Sequence, residues 1–311
     1  MTARWGYLGP EGTFTEQAAR DLAARSAGSV DLVPAAGVSA VLADLRAARV
    51  DAAVVPLENS VEGAVALTQD ELIHGDPVMV VGEVFVPVRF ALLARPGTAL
   101  TDIMTVGSHP HGLAQARDWL TERLPAVEFI VTTSTAAAAE LVATGGCDAA
   151  VAAAVAAERY GLTPLAHDIG MRDDAQTRFL LLTRPGPPPA ATGNDRSSLI
   201  LTLDNQPGAL LAVLSEIAGR GINMTRLESR PKRGHPGDYV FLADVDGHLH
   251  DPAMADMVAA LLRRRVLLRW LGSYPRAGGS VVAAAPDFAR PQAYNRAAQS
   301  LSALLAGTAA P

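Results

Sequence analysis

WGYLGPEGTFTEQAARDLAARSAGSVDLVPAAGVSAVLADLRAARVDAAVVP, residues 5–56, alternates short apolar runs with helical stretches. Residues 5–8 read as a strand, 15–24 as a helix and 30–33 as a second strand. Ser39 predicts an N-cap for a helix running through Ala48, and 52–56 is an apolar run of the buried-strand type. A β-α-β-α-β order argues for a parallel, doubly wound sheet, because each helical crossover returns the chain beside the preceding strand with one hand.

Working outward, a second set of elements begins near Val78. Its long apolar run to Ala94 contains Pro87, which predicts a bend where the chain passes from one sheet to another. Residues 103–107, 128–132 and 148–152 read as further strands, with helices over 111–123 and 134–143, the latter capped by Ser134. A strand over 165–169 and the run 179–182 are expected to return to the first sheet. Two α/β lobes joined by crossover strands leave a cleft, which is where such folds place ligands.

RPGPPPAATGND, residues 184–195, ends this region, since its four prolines suit neither a helix nor a central strand. Beyond it the pattern reads strand 198–203, helix 208–220, strands 222–229 and 239–245, helix 252–264 and strand 266–272. That βαββαβ order is ferredoxin-like. The expected division is a catalytic domain over 1–183, with one lobe at about 1–77 and 163–183 and the other at about 78–162. A linker at 184–196 follows, then a small domain at 197–276 and a low-complexity tail at 277–311. The tail has a candidate helix near 293–305 and is given no function.

Composition narrows the function. Hydrophobic residues at 49% against 19% charged supply enough material for packed cores. The net charge of −6 and the lack of a basic run argue against a nucleic-acid partner. Arg263-Arg264-Arg265 ends an expected helix, where cations complement the dipole. A single cysteine, Cys147, excludes an intrachain disulfide or a CxxC metal site, and its apolar setting suggests a buried thiol. No signal-like stretch opens the sequence and no apolar run is long enough for a bilayer, so no membrane partner and a cytoplasmic location are expected.

Four polar strings stand at expected strand ends. Gly9-Pro10-Glu11-Gly12-Thr13-Phe14-Thr15 precedes a helix, whose free N–H groups could hold an anion; a plain turn is the competing reading. Glu58-Asn59-Ser60 offers three consecutive hydrogen-bonding groups, or a capped loop. Ser108-His109-Pro110-His111, with Gln115 one turn later, places a hydroxyl at a helix start facing the crevice; the His pair lacks partners at metal spacing, and no metal is expected. Asp173-Asp174-Ala175-Gln176-Thr177-Arg178-Phe179 sets a hydroxyl beside a permanent cation, and Arg178 could meet a substrate carboxylate or pair with Asp173 or Asp174. In the small domain, Asn205-Gln206-Pro207-Gly208-Ala209-Leu210 opens a helix and Glu228-Ser229-Arg230-Pro231 ends a strand, a pairing that suits a small zwitterion or a mere turn.

In order and spacing, GPEGTFT, PLENSVEG, SHP with Gln115, TRF at 177–179 and ESRP at 228–231 resemble the prephenate dehydratase family over about residues 5–275. The resemblance implies a two-lobed, periplasmic-binding-protein-like catalytic domain followed by an ACT domain. It implies loss of CO2 and water from prephenate to give phenylpyruvate, with no cofactor, and feedback by L-phenylalanine. Thr177 takes the catalytic position. Thr13, Glu58, Asn59, Ser60, Ser108, Gln115, Arg178 and Phe179 map onto substrate positions. Asn205, Gly208, Ala209, Leu210, Glu228, Ser229, Arg230 and Pro231 map onto the effector site where two ACT domains of a homo-oligomer, dimer or tetramer, meet. Two positions depart from the family pattern. Ala175 stands where members often carry Asn, and His109-Pro110-His111-Gly112 replaces HPQA. Arogenate dehydratase and a non-catalytic amino-acid sensor remain the alternative readings.

Overall fold

The computed structural model describes residues 2–172, 174–232, 234, 237–278 and 285–308. In chain order the elements are β1 (Ala3–Leu8), α1 (Phe14–Ala23), β2 (Val30–Ala35), α2 (Val38–Arg46), β3 (Ala52–Asn59), β4 (Gly63–Ala64) and α3 (Ala66–His74). Then come β5 (Met79–Pro87), β6 (Phe90–Ala94), β7 (Thr105–Ser108), α4 (Pro110–Arg123), β8 (Glu128–Val131), α5 (Thr135–Ala143), β9 (Ala149–Ala153), α6 (Val155–Tyr160), β10 (Thr163–Ala166) and β11 (Gln176–Thr183). The remainder is β12 (Asp195–Leu203), α7 (Ala209–Ala218), β13 (Met224–Pro231), β14 (Tyr239–Asp246), α8 (Pro252–Arg263), β15 (Leu267–Pro275) and α9 (Pro291–Leu305). Residues 1–72 with 84–184 form one compact unit, and 73–83 with 185–311 form a second.

The first unit holds two sheets. In one, the order is β2-β1-β3-β11-β5, with β4 on β3; β1 runs parallel to β2 and β3, while β11 is antiparallel to β3. In the other, the order is β10-β6-β9-β7-β8, with β7 parallel to β8 and β9. Helix α1 packs Ala18, Ala19 and Leu22 on Tyr7, Val54 and Phe179. Tyr7 is 1% exposed, and burial, then the Glu16 carboxylate, push its hydroxyl up to about 12. On α2, Val41 lies so close to β1 that a side-chain carbon at Gly6 would meet it at 2.5 Å. In the second sheet, Asp148 accepts first of all from Thr105 Oγ1 and also from Met104 N and Thr105 N, which holds its carboxyl below the usual range. Cys147 is buried and its thiol is pushed up by that burial.

Three expectations change. The helix after β2 is capped by Gly37, and Ser39 falls inside it. Strand β5 belongs to the first sheet, although 78–162 was expected as one lobe; apolar runs signal burial but not which sheet buries them. Strand β10 pairs antiparallel with β6 at the edge of the second sheet instead of returning to the first. Pro164 is tolerated there because an edge position needs no N–H. Gly161, with φ 65°, turns the chain back from α6 within two residues of β10. Pro87 does mark the passage from the first sheet to the second.

In the second unit a four-stranded antiparallel sheet, β13-β14-β12-β15, carries α7 and α8 on the face of Leu199, Leu201 and Leu203. The order β12-α7-β13-β14-α8-β15 is the ferredoxin-like βαββαβ pattern. Strand β12 starts at Asp195, so the last two residues assigned to the linker are buried strand. From the segment 73–83, Glu83 pairs with Arg196 of β12, and Gly75 O accepts from Arg269 of β15. A side-chain carbon on Gly272 would lie 2.1 Å from the Val80 carbonyl oxygen, so only glycine fits. Among the described residues no helix is long and apolar enough to cross a membrane.

Candidate active site

The end of β3 and the start of β11 run side by side, pairing Asn59 with Thr177 and Glu58 with Arg178 before a register shift at Phe179. Such a shift re-aims side chains near a strand end. Asn59 Oδ1 accepts from the N–H groups of Val61 (2.8 Å) and Glu62 (3.0 Å). That fixes its amide orientation, and Nδ2 donates to Thr177 Oγ1 at 2.8 Å. Thr177 is 8% exposed. With a lone pair filled by Asn59, its own proton has no acceptor among the described residues and can point toward a ligand.

The neighbours are engaged in ways the sequence did not announce. Arg178, 2% exposed, pairs with Glu58 at 3.3 Å. Asp174 pairs with Arg172 instead, and Asp173, the other expected partner, lies outside the described residues. Ser60 ties the strands together, donating through N to Gln176 O and accepting through Oγ from Gln176 N. Phe179, expected as a substrate contact, is 2% exposed in the core under α1.

Thr13 is the N-cap of α1, accepting from Glu16 N at 3.3 Å and donating to Leu8 O at 3.2 Å. Gly12 N–H, expected to be available for an anion, is bonded by the Glu16 carboxylate, which also pairs with Arg20. The loop meets α6 instead: Tyr160 donates to Glu11 O, and Arg159 pairs with Glu11.

At the end of β7, Ser108 is fully buried and donates to Val151 O at 2.6 Å, so its hydroxyl does not face the crevice. His109 is the N-cap of α4 in its place, and burial, followed by nearby His111, lowers its pKa. A side-chain carbon at Gly112 would sit 2.5 Å from Ser108 Oγ, so the departure to Gly at this position lets α4 approach Ser108 closely. Gln115 is partly exposed, and its backbone carbonyl accepts from Met171 N. His111 pairs with Glu62, which joins α4 to the turn that carries Asn59. Sequence reasoning missed Glu62 and His111 as partners because the two are brought together only by the fold. Among the described residues no group of three or more His, Cys, Asp or Glu side chains gathers to hold a metal.

In the second unit, Gly208 caps α7 with φ 82°. Glu228 lies 3.8 Å from Arg226 and 3.7 Å from Arg230, while Ser229 and Pro231 are exposed on edge strand β13. Leu203 and Pro231 both pair with Tyr239, so the Asn205–Leu210 and Glu228–Pro231 strings stand at the same end of the sheet with β14 between them.

The sequence profile described as prephenate dehydratase matches residues 5–187, more than half of the chain. The chain belongs to the prephenate dehydratase family. The ACT domain profile matches residues 197–262. A prephenate dehydratase of Mycolicibacterium vanbaalenii is 46% identical over 291 residues, spanning 90% of this chain and 93% of the relative. A crystal structure of the Arthrobacter aurescens prephenate dehydratase in complex with L-Phe is similar at a TM-score of 0.87 and 38% identity, over 97% of this chain and 99% of that one. A structure described as a novel type of quorum quenching acylase matches at 0.78 and 33%, over 89% and 98%. Shape alone therefore does not name the reaction.

Proposed function

We propose that the chain converts prephenate to phenylpyruvate by decarboxylating dehydration, in phenylalanine biosynthesis, with Thr177 as the catalytic group. The hydrogen bond from Asn59 to Thr177 carries this reading. In the reaction the ring carboxylate leaves as CO2 and its bonding pair enters the ring. The C4–O bond breaks, and the hydroxyl takes up a proton and departs as water. Aromatisation drives the step, so the protein must orient the substrate and assist the leaving oxygen. Thr177, already accepting from Asn59, donates its proton toward that oxygen as a hydrogen bond. Glu58 pairs with Arg178 at 3.3 Å, and Glu58 or a water supplies the proton. Family identity together with 46% identity to a prephenate dehydratase supports the substrate. Incubation with prephenate should yield a product absorbing as phenylpyruvate in alkali. No such absorbance would sink the reading, and a higher kcat/KM for arogenate would move it to the amino analogue.

The proposed division is a catalytic part over 1–183 and an ACT part over 197–276 of a cytoplasmic homo-oligomer. The edge strand β13, with Leu227 40% exposed, offers the surface for that assembly. Phenylalanine at the Gly208 and Glu228 strings then shifts the catalytic part between states. Deletion after Leu182 would remove Arg196, the buried partner of Glu83, so a point change is the cleaner test. Gly208→Val places a branched residue at positive φ and should weaken phenylalanine inhibition about tenfold or more. An unchanged inhibition curve would put the effector elsewhere.

A further inference from the structure

The second unit holds a cavity of about 280 Å³ that the effector strings do not line. Leu199, Leu201 and Leu203 face α7 and α8, so Ile200 and Thr202, which border the cavity, point to the other face of the sheet. Ile73, Ile200 and Val240 supply an apolar wall, and His74, Lys232 and Arg269 supply basic groups. Arg269 is held in place by a bond from Nη1 to Gly75 O at 3.1 Å. Lys232 is the only lysine of the chain; every other cation among its 26 Lys and Arg residues is arginine. A flexible ammonium is a compact point charge that can follow a small ligand, whereas the guanidinium is a rigid fork.

The described lining residues include no Asp or Glu. An anion therefore meets three basic groups, while the ammonium of an amino acid meets no carboxylate. The volume is near the lower end of the ordinary range for ligand pockets, about 300–1,000 Å³. The larger cavity of about 380 Å³ in the same unit makes no such demand. Its Asp195, Asp246 and Asp251 carboxylates already accept from Thr192, Asn223 and the His248 N–H, respectively.

We infer that this cavity binds a small carboxylate with an apolar body and no ammonium group, of the class of an aromatic 2-oxo acid. Phenylpyruvate belongs to that class, and its choice as the probe rests on the reaction proposed above. The Gly208 and Glu228 strings would then read the amino acid, and this cavity the corresponding oxo acid.

Because Lys232 is the sole lysine, an amine-reactive acetylating reagent modifies no other lysine, and peptide mass measurement reads the Lys232 peptide separately from the α-amino group. Phenylpyruvate should slow acetylation of Lys232 in the full chain about tenfold. Inorganic phosphate should protect far less, and so should L-phenylalanine in the Gly208→Val background. In parallel, calorimetric titration with phenylpyruvate should lose one class of site in Lys232→Ala and again in Lys232→Gln. Absent protection, protection by phosphate or phenylalanine equal to that by phenylpyruvate, or identical titrations of wild type and both variants would overturn the inference. Neither measurement involves turnover, so both stand apart from whether prephenate is converted.

Discussion

Thr177→Ala is expected to lower kcat for prephenate by roughly 10²–10⁴-fold, about 3–5 kcal/mol of barrier, with KM little changed. The size follows from what is removed. Thr177 Oγ1 is nearly buried, and it is oriented by an amide whose other end is held by two backbone N–H groups. A donor held this way needs no reorganisation when the leaving oxygen develops charge. Thr177→Ser keeps the hydroxyl and should recover most of the rate. Steady-state kinetics on the two variants is the check. Wild-type kcat in the alanine variant would remove Thr177 from the mechanism.

The second large effect concerns stability. Arg196 Nη1 donates to both oxygens of Glu83, at 2.9 and 2.7 Å, and Glu83 Oε1 also accepts from Ala277 N at 3.0 Å. The side chains are 8% and 0% exposed. Removing one partner leaves a charge buried without compensation. Glu83→Ala should therefore cost about 3–5 kcal/mol and lower the thermal midpoint of the second unit by roughly 10 °C. Arg196 Nε, by contrast, is buried with no hydrogen-bond partner among the described residues, so the pair is imperfect. Exchanging both residues together for apolar ones, Glu83→Leu with Arg196→Met, should be close to neutral. Scanning calorimetry separates these outcomes, and an unshifted midpoint in Glu83→Ala would show that the pair contributes nothing.

Much of the architecture was legible because local rules and the tertiary fold agree. Pro87 marks the change of sheet, Ser134 caps α5, and the βαββαβ pattern of the second unit reads directly from the alternation of runs. The polar strings also stand at or beside strand ends. Their internal bonding was not legible. Asn59 and Thr177 stand 118 residues apart and meet only because β11 returns antiparallel to β3. Ser108 looked like a ligand group because a hydroxyl before a helix suggests a cap; its neighbour His109 takes the cap, and the hydroxyl turns inward to Val151. Periodicity carries no record of such choices. Phe179, at the head of an apolar run, packs into the core as that run suggests, although the motif also marks it as a substrate position.

Residues 73–83 belong to the second unit, although the rest of that unit begins at Pro185. During synthesis, this segment leaves the ribosome about a hundred residues before its partners exist, and Glu83 waits across a separation of 113 residues for Arg196. Until then Glu83, an acidic group made for burial, lacks its Arg196 partner. Closing so long a loop makes the second unit slow to nucleate. Chaperone demand on this protein should fall mainly in that interval of translation.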